Sequence, residues 1–142
     1  MAGLFIDSSG SLFGTTSMGD GNNLCGTVFK LTPRHGTYVE TFVYAFKSNP
    51  DGCSPNSALV EASSGVLYGL AEFGGGAGQG CIYELTPSGN TYTESILFSF
   101  TNAILNGAHP YGPLFQDARG SLYGTTYDGG RRGMGTIFVV NP

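Results

Sequence analysis

The chain has 142 residues, of which 11% are charged and 24 are glycine, and its net charge is −4. That length suits one domain with a real core, and the acidic balance excludes a phosphate-backbone binder, which needs a basic face. Plentiful aromatic and β-branched residues exclude disorder, no run of eighteen apolar residues offers a membrane span, and no charged start with an apolar stretch marks a signal peptide.

Gly3-Leu4-Phe5-Ile6-Asp7 reads as a short apolar strand closed by the turn Ser8-Ser9-Gly10. Ser11-Leu12-Phe13-Gly14-Thr15-Thr16 is a second strand. After a long loop comes Gly26-Thr27-Val28-Phe29-Lys30-Leu31-Thr32-Pro33, whose proline removes a donor and is expected to end pairing. Residues 38–46 form a fourth strand, in which Phe42, Tyr44 and Phe46 alternate with smaller residues. The same order returns at Ala58–Ala62, Val66–Ala71, Gly80–Pro87 and Tyr92–Phe100, and again at Pro113–Asp117, Ser121–Thr126 and Gly135–Phe138. The period is about 55 residues, in the range of propeller and solenoid repeats. No stretch carries a helical period.

Four antiparallel strands in tandem describe an all-β fold of β-propeller blades. A β-solenoid fits less well, because its strands pair between coils. The blades are expected at about 3–46, 57–100 and, with three strands, 112–142, about eleven strands in a single repeat domain. Three blades cannot close a ring, since propellers use about four to eight. Self-association is therefore expected, a dimer giving six blades and a trimer nine, and six lies in the usual range. The abrupt start of the pattern at Gly3 reads as a fragment of a longer repeat protein.

The run Leu-Tyr-Gly-Thr-Thr, a Gly-Gly loop, Gly-Thr-Val-Phe-Lys-Leu-Thr-Pro and a Phe-ending strand resembles the GloVer tandem repeat over nearly the whole chain. The resemblance implies a bacterial surface protein, extracellular, with further repeats and an anchor that this chain lacks. It says almost nothing of activity. The middle copy departs from it with Leu70-Ala71 where its neighbours have Thr-Thr.

If chemistry exists, the long loops on one face should hold it, since loops on a rigid scaffold carry function. These span residues 17–25, 72–79, 127–134, 47–56 and 101–112. Their candidate ligand-binding residues are Glu72, Phe73, His109, Tyr111, Tyr127, Asp128, Arg131 and Arg132. Phe73, Tyr111 and Tyr127 offer ring faces to glycans. His109 needs a carboxylate or metal to become a base. Arg131-Arg132 is a fork for an anion, or a partner for Asp128. Asp20-Gly21-Asn22-Asn23 and Asn49-Pro50-Asp51-Gly52 offer calcium oxygens, but turn chemistry explains both, so no cofactor or metal is expected. A zinc site from His109, Cys25 and Cys53 lacks paired-ligand spacing. Cys25 and Cys53 are either a disulfide or two thiols, and Cys81 is expected to be a small buried strand residue. Residues 74–80 lack the ending of a phosphate loop and read as a flexible connection. No nucleophile motif is present. The leading expectation is a non-catalytic binding module that presents loops to a glycan. The alternative is a propeller hydrolase or lyase with a metal-assisted site at the channel mouth, to which Glu61, Gln116 and Asp117 could contribute.

Overall fold

The computed structural model describes residues 3–19, 25–47, 49–89, 91–101 and 103–142. They form three antiparallel sheets in chain order. The first runs β1 (Phe5–Ile6), β2 (Leu12–Thr16), β3 (Thr27–Arg34) and β4 (Thr37–Ala45), each paired with the next. The second contains β5 (Gly52–Pro55), β6 (Val60–Glu61), β7 (Leu67–Gly74), β8 (Cys81–Ser88) and β9 (Thr91–Ser99). A single helical turn, α1 (Ala103–Asn106), precedes the third sheet of β10 (Ala108–Pro110), β11 (Phe115–Gln116), β12 (Leu122–Asp128) and β13 (Ile137–Val140).

The innermost strand differs from expectation. Residues 52–55 and 108–110, assigned above to loops between blades, pair with the far ends of β7 and β12. β6 and β11 pair with the near ends of the same strands. The inner position is thus filled by two short pieces, and His109 lies in a strand. A second difference concerns proline. Pairing does not stop at Pro33 or Pro87, which stand opposite Tyr38 and Tyr92. Past Leu31 and Leu85, β3 and β8 have a neighbour on one side only, and a proline is tolerated where its missing donor faces an open edge.

The sheets stack through one repeated joint. Phe13, Val28 and Phe46 of the first sheet pack against Leu67, Cys81, Tyr83 and Leu85 of the second. Tyr68, Leu70, Ile82 and Phe100 of the second pack against Leu122 and Phe138 of the third. Each joint is closed by a terminal phenylalanine. Phe46 meets Tyr83 edge-on at 4.8 Å, and Phe100 meets Phe138 at 5.2 Å. The Phe46 amide donates to the Gly26 carbonyl, and the Phe100 amide to Gly80, at 3.1 and 3.0 Å. Gly26 and Gly80 have φ of 90° and 96°. A Cβ there would strike Pro55 or Pro110 of the following blade, so glycine is required by both conformation and approach.

The departure of the middle copy has a register explanation. Thr16 stands opposite Thr27 and bonds it through both hydroxyls at 2.8 Å, as Thr126 does Thr136. In the second blade the same cross-strand places hold Ala71 and Cys81. Both hydroxyls are replaced together, so neither of these two places keeps a hydroxyl without its partner. Cys81 is fully buried, and burial pushes its thiol up to about 12, which makes it inert at neutral pH.

Candidate functional site

Where the inner ends of the three blades converge, a cleft of ≈ 610 Å³ opens. The end of β2 supplies Thr15, Thr16, Ser17 and Met18, the second blade Pro55, Asn56 and Glu72, and the third Tyr111. Backbone pairing sets the polar residues. The Asn56 amide donates to Leu70 and the Tyr111 amide to Thr125, so both stand at matching places just past the inner strand. Asn56 Nδ2 donates to Glu72 Oε2 at 3.1 Å. An ionised carboxylate only accepts, so the Asn56 amide must turn its Nδ2 to Glu72. That leaves Oδ1 buried without a hydrogen-bond partner among the described residues. Tyr111, 48% exposed, also lines the cleft.

Of the residues singled out in the sequence, the fold brings Glu72 and Tyr111 to this cleft. It gathers Phe73, His109 and Asp128 at a second place. His109 Nδ1 and Asp128 Oδ2 are 2.8 Å apart, and the Phe73 ring lies edge-on to the imidazole at 5.2 Å. His109 holds φ at 53°, and its amide donates to Gln79 of the preceding blade at 2.9 Å. Asp128 is therefore engaged by His109 and not by the arginine pair. Arg131 and Arg132 stand exposed at the tip of the β12–β13 loop, and Tyr127 is exposed on β12. Sequence reasoning missed Asn56. Its signal was the match of Gly52-Cys53-Ser54-Pro55 to Gly107-Ala108-His109-Pro110, which makes Asn56 the counterpart of Tyr111.

Three alternatives change in the structure. Cys25 and Cys53 are bonded to each other, so neither offers a thiolate to zinc. Asp51 accepts from the Lys47 and Gly52 amides and the Tyr44 hydroxyl, at 2.9, 2.8 and 3.0 Å, which accounts for its turn without a cation. The Asp20–Asn23 turn lies outside the described residues, and among those described no three His, Cys, Asp or Glu side chains gather to hold a metal. Residues 74–80 form a tight loop held by hydrogen bonds from Gly75 to Asp51, Gly78 to Gly75 and Gly80 to Gly74, in place of the flexible connection expected. Residues 129–135 repeat that pattern through Gly130, Gly133 and Gly135.

Two other carboxylate settings are structural. Asp117 caps its turn by accepting from the Arg119 and Ser121 amides at 2.9 Å, as Asp7 does from Ser9 and Ser11. Desolvation raises the Asp117 carboxyl, but the bonds from Ser121, Arg119 and the Tyr123 hydroxyl outweigh it and hold it below its ordinary value. At the outer joint of the first two blades, Glu94 lies beside Asp51 and Tyr44. Burial first, then the neighbouring Asp51 charge, pushes the Glu94 carboxyl up to about 7.

The tandem geometry, with the same joint built twice, is reflected in the family match. A model of the Gloeobacter/Verrucomicrobia repeat matches residues 1–142. The chain belongs to this repeat family. The resemblance visible in the sequence is borne out over the full chain. No curated protein matches the chain. Among solved structures, the repeat is similar to an X-ray structure of a protein provisionally named a gluconolactonase, with a TM-score of 0.58 and 18% identity. The likeness covers 98% of this chain and 47% of that one, so the chain spans about half the length of that protein. At this identity it shows the shared β-propeller fold alone.

Proposed function

We propose that this chain is a non-catalytic propeller module that closes a six-bladed ring with a second copy and offers its inner cleft to a glycan. The observation that carries the ligand reading is the lining of the cleft, where the hydrogen-bonded Glu72–Asn56 pair and the half-exposed Tyr111 meet. Carboxylate, amide and aromatic face together match the hydroxyls and apolar faces of a sugar. Binding on a glycan array, abolished by Tyr111→Ala and weakened at least about tenfold by Glu72→Gln, is expected. An array on which no glycan is retained contradicts it.

Ring closure is supported by the two outer faces. Ile82 is fully buried in the second joint, whereas its counterpart Ile137 is 86% exposed, with Phe115 and Val139 exposed beside it. At the other end, Leu4 is 59% exposed, and Leu12, Phe29 and Leu31 are only half-buried where Leu67, Tyr83 and Leu85 are fully buried. The faces left open are the two halves of the repeated joint. A second copy would join them twice and close the ring, and exposed apolar faces of this kind drive association. Three blades laid over a little under half of the gluconolactonase-named chain leave room there for about three more. A trimer of nine blades is the other closed arrangement. The Cys25–Cys53 disulfide supports an extracellular setting, since such bonds persist in oxidising compartments.

A second reading has one observation in its favour. The His109–Asp128 pair supplies the carboxylate that a histidine base needs, so hydrolysis of an ester or lactone at the mouth of the channel is the alternative. Metal analysis and hydrolysis of simple lactones decide between the two. Turnover lost in His109→Ala favours the hydrolase, and no turnover with or without divalent metal removes it.

A further inference from the structure

Among the described residues the outer edge of β13 pairs with nothing, and the two preceding blades show what fits there. β4 covers β3 and β9 covers β8 in one register, with a bulge at the same step. Tyr44 stands opposite Val28 and Phe98 opposite Ile82; Phe42 stands opposite Phe29 and Ile96 opposite Tyr83. The covering strands share a pattern: Thr37-Tyr38, Glu40, the apolar run Phe42-Val43-Tyr44 and the final Phe46 match Thr91-Tyr92, Glu94, Ile96-Leu97-Phe98 and Phe100. β13 carries the matching uncovered half, Thr136-Ile137-Phe138-Val139-Val140. It has none of the charges, prolines or bulges that blunt an open edge.

We propose that β13 is a docking edge for an extended segment outside residues 1–142 that carries this fourth-strand pattern, Thr-Tyr-x-Glu followed by an apolar run and a final aromatic-x-Phe. The register follows from the other blades. The penultimate aromatic lies over Ile137, the apolar residue before the bulge opposite Phe138, and the glutamate opposite Val140. The final Phe amide donates to the Gly135 carbonyl, as Phe46 does to Gly26 and Phe100 to Gly80. Main-chain bonds supply the affinity and the alternating apolar side chains the specificity. The docking edge is separate from the ligand cleft and does not depend on ring closure.

The test uses the full chain and a labelled peptide with the sequence of residues 91–100, extended by lysines for solubility. Anisotropy should show saturable one-to-one binding. Amide exchange should slow at least about tenfold within residues 135–140, and the same peptide carrying Phe98→Pro should do neither. Absence of binding, binding unchanged by the proline, or protection confined to other strands overturns the proposal.

Discussion

At the joint between the first two blades, Cys25 and Cys53 are bonded; at the next, the same two places hold Gln79 and Ala108. Three other features recur: a glycine carbonyl receiving a phenylalanine amide, a proline over that glycine, and an aromatic edge in the seam. One joint is covalently held and the other rests on packing and a cross-blade hydrogen bond from the His109 amide to Gln79. The repeat therefore carries enough non-covalent complementarity to hold two blades together, and the disulfide is an addition at one seam.

Emptying the seams should have the largest effect on the two joints. Phe100→Ala should cost about 3–5 kcal/mol in urea unfolding and open the second joint, whereas Phe46→Ala should cost as much overall but leave its blades tethered. Equal loss of amide protection across both joints would contradict the difference. Removing the staple with Cys25→Ala and Cys53→Ala, which frees a sequence separation of 28 residues, should cost about 3–4 kcal/mol. The melting temperature should fall by roughly 10 °C, and the two joints should then unfold alike.

The pH dependence of the first joint is subtler. Glu94 has its carboxyl raised from 4.5 to about 7, so the folded chain keeps a proton that the unfolded chain has lost. Its contribution is fully present below pH 4.5 and is lost as the pH rises to about 7. Glu94→Gln, which still donates to Asp51, should flatten that slope in thermal melts across the window; an unchanged slope points to another group. Asp7 and Asp117 act in the opposite sense, their support present above pH 3.8 and lost as the pH falls below it. The smallest effect is expected at Tyr83, whose hydroxyl is buried with no partner and whose counterparts are Phe29 and Phe138. Tyr83→Phe should be neutral or stabilise by about 1 kcal/mol, and a loss above that would reveal a hidden partner.

The blades were legible because strands two, three and four repeat with clear alternation. The inner strand was not. Gly52-Cys53-Ser54-Pro55 is short, carries glycine and proline, and holds Ser54 at φ 56°, all of which read locally as loop. Only pairing with the end of β7 makes it a strand. The same difficulty hid Asn56, while Glu72 and Tyr111 stood out by residue type. The Ala71–Cys81 exchange was visible as two separate departures, and only the cross-strand register joins them.

In the proposed dimer the open faces at Ile137 and Leu4 are two halves of one joint. Light scattering on the purified chain at micromolar concentration checks this. A dimer has a mass twice the 14.8 kDa of one chain, reduced to that of one chain by Ile137→Asp. A wild-type mass of a single chain at that concentration would contradict it.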